Sequence, residues 1–201
     1  MTRIAIIVGS TRPRRRAGLV AGWVAEVATR HLPSSGNTTV EVVDLRNHEL
    51  PLLDEPAPAA IGDYAHAHTR TWARTIASYD GFVFVTPEYN HSMPAALKNA
   101  IDYLFAEWND KAAGFVSYGL HGGTRAVEHL RLALAEVKIA CVRTQVALSL
   151  ATDFDITDMT QPGTLTPASH HEPALTRMLD EIESWSQALA PLRAPAAPAP
   201  H

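Results

Sequence analysis

Five short apolar runs, each parted from the next by a stretch of helical spacing, constrain the fold of this chain more than any other feature. They occupy residues 4–8, 39–45, 82–86, 112–118 and 142–150. The first, Ile4-Ala5-Ile6-Ile7-Val8, is continuous and rich in β-branched residues, the pattern of a strand buried on both faces. Helical spacing recurs at about 17–31, where Leu19, Val20, Trp23, Val24 and Val27 share one side, and at 70–79, 94–105, 124–137 and 173–189. Such alternation specifies a parallel sheet with helices on both faces, and right-handed crossovers restrict the strand order. The expected fold is α/β, a flavodoxin-like doubly wound five-stranded parallel sheet of order 2-1-3-4-5, rather than a six-stranded dinucleotide fold. Ligands in that order bind beyond the carboxyl ends of strands one and three. Loops 9–18 and 86–94 would then lie side by side.

A chain of 201 residues with 46% hydrophobic and 19% charged residues reads as one globular domain, here residues 1–190. Pro33 and Gly36 break the first helix, and residues 50–62, with Pro51, Pro56 and Pro58, form a surface excursion. Residues 191–201 are mostly Pro and Ala, a stiff, disordered tail by composition. A net charge of −4 and a pI near 6.2 argue against nucleic acid as partner. The single Cys141 excludes an internal disulfide and a cysteine-cluster metal site. No apolar stretch is long enough to span a membrane, and the apolar start is too short for a signal peptide. The expectation is a soluble cytoplasmic protein.

Three strand-to-helix turns carry the chemistry. In Thr86-Pro87-Glu88-Tyr89-Asn90-His91-Ser92-Met93-Pro94, Pro87 fixes its own φ and Pro94 suits a first helical turn, with Ser92 or Asn90 as cap. The backbone between them is expected to face a ligand, such as the polar edge of a flavin or a nucleotide base. The turn Gly9-Ser10-Thr11-Arg12-Pro13-Arg14-Arg15-Arg16-Ala17-Gly18 offers amides, hydroxyls and a helix N-terminus. Ser10, Thr11, Arg12 and Arg15 would hold a phosphate, a guanidinium making a bidentate contact. It is neither a Walker loop nor the dinucleotide fingerprint, since Thr11 and Arg14 stand where that pattern needs its second and third glycines. The third turn, Ser117-Tyr118-Gly119-Leu120-His121-Gly122-Gly123, has three glycines that permit positive φ and close approach to a ligand.

Together these motifs resemble those of the NAD(P)H-dependent FMN reductase family over about residues 3–150. The resemblance implies a flavodoxin-like fold, noncovalent FMN reduced by NADPH or NADH, a small-molecule electron acceptor and a homodimer or homotetramer. Carried over by motif, Ser10, Arg12 and Arg15 bind the FMN phosphate. Pro87, Glu88, Tyr89 and Asn90 line the isoalloxazine, and Ser117, Tyr118, Gly119, Gly122 and Gly123 close its far edge. Arg14, Arg16 and Ala17 depart from the family pattern, so Arg14 and Arg16 are not carried over.

The implied reaction takes hydride from NAD(P)H through bound FMN and reduces free flavin, a quinone, an azo compound or a similar acceptor in alternating half-reactions. It needs no conventional acid–base pair, so no side chain is assigned as catalytic. His91 and His121 read as rim residues, and His170-His171 lack a third metal ligand at a recognised spacing. Lys98, Asn99 and Asp102 read as a solvated face or subunit contact, and Phe105 and Trp108 as an interface roofing a partner's flavin. The alternatives are a flavodoxin-like electron carrier without its own nicotinamide site and a nonenzymatic scaffold.

Overall fold

The computed structural model describes residues 1–32 and 38–193. Strands β1 (Thr2–Val8), β2 (Thr38–Asp44), β3 (Gly81–Pro87), β4 (Lys111–Gly119) and β5 (Ile139–Ser149) form one parallel sheet. Their order is β2-β1-β3-β4-β5, as the apolar runs implied. The helices are α1 (Ala17–His31), α2 (Ala67–Ala77), α3 (Ala95–Asp102), α4 (Thr124–Glu136) and α5 (His171–Arg193). A short antiparallel pair, β6 (Phe154–Asp155) with β7 (Thr164–Leu165), stands between β5 and α5.

The two-residue period of a strand divides the core. Ile4, Ile6 and Val8 pack with Val83, Val85 and Val116 beneath α1 and α5. Ala5 and Ile7 turn the other way and join Phe82, Phe84 and Phe115 beneath α2, α3 and α4. Burial on both faces is why these strands read as unbroken apolar runs.

Trp108 belongs to this second core and not to an interface: it is 1% exposed, with its ring centroid 5.0 Å from Phe82 and 6.2 Å from Trp72. Its indole N–H donates to Ile101 O at 3.2 Å, and that of Trp72 to Ala100 O at 2.8 Å. Phe105 packs partly buried against the same cluster. Burying an indole here contributes about 2–3 kcal/mol, more than a rim position would.

Asn99 also has a defined task. Its amide donates to Pro51 O at 2.7 Å and accepts from the Leu53 N–H at 2.9 Å, fastening the proline-rich excursion to α3. Lys98 pairs with Asp102 one turn along α3. Helix α3 begins without a side-chain cap, and Pro94 precedes it in extended conformation (φ −58°, ψ 140°), so neither Ser92 nor Asn90 caps it. At the chain's end α5 continues through Pro191 to Arg193, three residues into the segment read as tail. Arg193 is held there by Asp80 at 2.7 Å and Asp110 O at 2.8 Å. Residues 194–201, like Pro33 and Gly36, lie outside the described residues.

Candidate functional site

Strands β1, β3 and β4 are neighbours, so the turns leaving their carboxyl ends meet at one edge of the sheet. The Gly9 N–H donates to Val85 O at 2.9 Å and the Glu88 N–H to Tyr118 O at 3.1 Å, extending the ladder into the turns. Between them lies a cavity of about 200 Å³. Arg12, Arg15, Pro87, Glu88, Tyr89, Tyr118 and Gly119 line it, seven of the twelve residues expected to bind cofactor.

The basic side of the cavity is built on the start of α1. That helix has no side-chain cap and no acidic residue in its first turn, so its positive end is not neutralised locally. Arg15 is pinned by an ion pair with Asp44 at the end of β2, and its side chain is only 8% exposed. Its Nε and Nη1, and Nε of Arg16, are nonetheless buried without a hydrogen-bond partner. Buried guanidinium donors with no acceptor are costly unless an anion completes them. A phosphate monoester at the N-terminus of α1 fits that donor set. Arg14 and Arg16, set aside on sequence, line the same cavity, Arg14 in a left-handed conformation at φ 53°.

The second turn is tighter than its sequence suggests. Asn90 (φ 48°) and His91 (φ 74°) are both left-handed, the geometry of a type I′ turn. The Tyr89 N–H donates to Ser92 O at 2.9 Å and the Ser92 N–H to Tyr89 O at 3.1 Å. Part of this backbone therefore pairs with itself instead of facing a ligand. The turn projects Tyr89 into the cavity and leaves Asn90 exposed at its tip. Ser10 is fully buried and shares a hydrogen bond with the Tyr89 hydroxyl at 2.9 Å, so it orients the ring from below. Ser92 meets His129 Nδ1 at 2.8 Å, an alternative employment to capping α3.

In the third turn, Gly122 (φ 71°) and Gly123 (φ 72°) make the bend. A Cβ on Gly123 would stand 2.9 Å from both N and O of Tyr118, so only glycine lets α4 begin so close to β4. Ser117 is fully buried and donates its hydroxyl to Gly122 O at 2.6 Å, which shapes the turn and does not present the hydroxyl at the rim. Tyr118 lies 5% exposed with its ring centroid 6.0 Å from that of Phe154. Burial, then the proximity of Tyr89, push its phenol up, against the opposing pull of Arg16 and Arg15. It therefore stays protonated throughout the neutral range.

Sequence reasoning missed several participants. Arg125, in the first turn of α4, donates to Glu88 at 2.5 Å and fixes that carboxylate. Leu150 and Met159 line the cavity from beyond β5, and the Gln161 carbonyl accepts from Arg16 at 2.9 Å. Only Asp44 left a trace, a carboxylate ending the strand beside an arginine-rich loop. Among the histidines, His91 and His121 are exposed, while His171 is buried against Asp153.

A family model of NADPH-dependent FMN reductases matches residues 2–153, all five strands of the parallel sheet and all three turns. This chain belongs to that family. It is therefore an FMN-dependent oxidoreductase served by NAD(P)H. The chain is 40% identical over 163 residues to an NAD(P)H-dependent FMN reductase of Schizosaccharomyces pombe, covering 80% of each chain. It is 34% identical over 150 residues to a quinone reductase of Pseudomonas putida, covering 70% of this chain and 73% of the other. In fold it is similar to FerB, a flavoenzyme NAD(P)H:(acceptor) oxidoreductase from Paracoccus denitrificans, with a TM-score of 0.69 at 21% identity. That superposition covers 94% of this chain and 98% of FerB.

Proposed function

We propose that this protein holds FMN in the cavity where its three turns meet and uses the exposed rim to reduce small acceptors such as quinones or free flavin. The observation that carries this reading is Arg15. It is buried, anchored by Asp44, and keeps two unpartnered nitrogens beside the N-terminus of α1. Those donors suit the FMN phosphate, with Arg12 completing the charge from the exposed side of the cavity. Pro87, Glu88 and Tyr89 would line one side of the ring, with Asn90 at its open rim, and Tyr118 and Gly119 its far edge. Ser10, Ser117, Gly122 and Gly123 would act through the shape of the turns.

When bound, FMN would supply the redox chemistry between the nicotinamide and the acceptor. The residues of the chain orient and shield. Arg125 holds the Glu88 carboxylate, and Ser10 holds the Tyr89 hydroxyl, so both walls are pre-organised. Exposed Asn90, His91, Leu120 and His121 leave the rim open for donor and acceptor to take turns. Cys141 has no part in this, since burial pushes its thiol up to about 11.

We propose a homodimer or homotetramer in the cytoplasm. Supporting the assembly, an open groove between α3 and α4 is lined by Met93, Ala95, Leu132 and Ala133, and Leu132 is 75% exposed. Among the described residues no helix is long and apolar enough to cross a membrane.

The test is an anaerobic visible titration of FMN-loaded protein with NADPH and NADH, followed by addition of a quinone. The flavin bands should bleach within the turnover time and return with the quinone. Bands that persist through excess NADPH would instead indicate a flavodoxin-like electron carrier.

A further inference from the structure

The family match ends at residue 153, and the next stretch of chain brings Met159 to the cavity between the turns. Asp153 is 2% exposed and its carboxylate accepts from four groups. Oδ2 takes the Ser149 N–H at 2.8 Å and the Thr152 hydroxyl at 3.1 Å. Oδ1 takes the Ala168 N–H at 3.0 Å and meets His171 Nε2 at 3.0 Å. The Thr166 N–H also donates to the Asp153 carbonyl at 2.8 Å. One residue thus ties the end of β5 to the start of α5, closing the base of the excursion between them.

From that base β6 and β7 project toward the arginine turn. Phe154, 7% exposed, packs its ring against Tyr118 at a tilt of 49°. The tip is ordered by its own bonds: Asp158 accepts from the Thr160 N–H at 2.8 Å and the Thr160 hydroxyl at 2.9 Å. Gly163 (φ 73°) returns the chain where a Cβ would come within 2.4 Å of Asp155 O. The tip reaches the cavity at two points. Met159 lines it, and the Gln161 carbonyl takes the Arg16 guanidinium at 2.9 Å. The carbonyl neutralises nothing. It orients Arg16 while leaving the cation's charge, and its buried Nε, available to an anion.

From this arrangement we infer that the β6–β7 hairpin is a retention clamp for the cofactor, with Asp153 as its positioning residue. The clamp rests on the reading of the cavity as the FMN site. It fixes Arg16 before the ligand arrives, the Gln161 carbonyl setting the direction of the guanidinium, while Met159, 65% exposed, covers the outer edge of the cavity. Its chemical consequence is that FMN stays bound between turnovers as a prosthetic group instead of exchanging as a substrate. Met159 and Gln161 would set the release rate, and Asp153 would set it at a distance by keeping the hairpin upright.

The test uses two variants of the full chain. In one, residues 156–163 are replaced by Asn-Gly, a turn suited to joining Asp155 to Thr164 across an antiparallel pair. The other is Asp153→Asn, which keeps an acceptor but weakens the four-donor anchor. FMN affinity and release are read by the change in flavin fluorescence, riboflavin serving as the phosphate-free control. The melting temperature of each FMN-free variant is measured alongside. Tip replacement should weaken FMN binding roughly ten- to a hundredfold, the worth of a hydrogen bond to a charged group, chiefly through faster release. Riboflavin should lose less, and the melting temperature should hold in the tip variant. Asp153→Asn should move FMN release the same way with a lower melting temperature. A tip variant that releases FMN at the parent's rate overturns the clamp while leaving the FMN site intact. A parent that binds no FMN overturns both.

Discussion

Arg125 meets Glu88 twice, its guanidinium 2.5 Å from one carboxylate oxygen and its backbone N–H 3.2 Å from the other. The pair couples the turn after β3 to the first turn of α4, and an acidic group at a helix start is favourable in its own right. Glu88→Ala should weaken FMN binding by roughly three- to thirtyfold, as expected for charge-assisted bonds at a half-open site. Arg125→Ala should do the same, and the double variant should be no worse than either alone. Fluorescence titration of the three variants checks this, and additive losses would contradict it.

Arg15 makes a sharper contrast possible because its proposed ligand carries a phosphate that riboflavin lacks. Arg15→Ala should cost FMN about 2–3 kcal/mol of binding and riboflavin much less. The same variant strands Asp44, so Asp44→Asn in the Arg15→Ala background should recover stability without recovering FMN affinity. Parallel titrations with the two flavins decide it; equal losses would remove Arg15 from the phosphate site.

Gly123 tests the turn independently of any ligand. Gly123→Ala combines a left-handed φ of 72° with a Cβ 2.9 Å from the Tyr118 backbone. The expected cost is about 2–4 kcal/mol, a fall of roughly 5–15 °C in melting temperature for a chain this size. A thermal melt of the FMN-free protein within 1–2 °C of the parent, roughly the size of a negligible effect, would contradict the geometry.

Lys111 gives a pH-dependent prediction at the amino-terminal edge of the sheet. It is 4% exposed and donates to Ile76 O at 2.9 Å and Ala77 O at 3.4 Å. Burial, reinforced by Arg193, lowers its ammonium to about 8 from an ordinary 10.5. The unfolded chain then holds this proton more tightly than the folded one. Its favourable contribution is therefore present above pH 10.5 and lost as pH falls toward 8. Lys111→Met removes that dependence. Parent stability should gain on the variant by roughly 3 kcal/mol between those limits, as denaturant unfolding at each pH would read. Parallel stability curves would rule the argument out.

The sheet was legible because each strand is buried on both sides and announces itself as an apolar run. The turns were legible because they hold residues that strands and helices avoid. The hairpin was not: β6 and β7 span two residues each, in a stretch of Thr, Asp, Gln and Pro that resembles any surface loop. Trp108 was misread because an aromatic at a helix end looks alike whether it fills a core or an interface. Ser10 and Ser117 kept their expected turns, but burial gave their hydroxyls to Tyr89 and Gly122. The Arg125–Glu88 pair is 37 residues apart, a distance at which a single sequence leaves no mark; of the Arg15–Asp44 pair, 29 residues apart, the sequence shows only a carboxylate ending a strand.

Diffraction from crystals soaked in FMN tests the central claim most directly. Density should place the phosphate against Arg15 and the N-terminus of α1, with the ring between Tyr89 and Gly119. Density for FMN in another crevice, with these three turns unengaged, would contradict it.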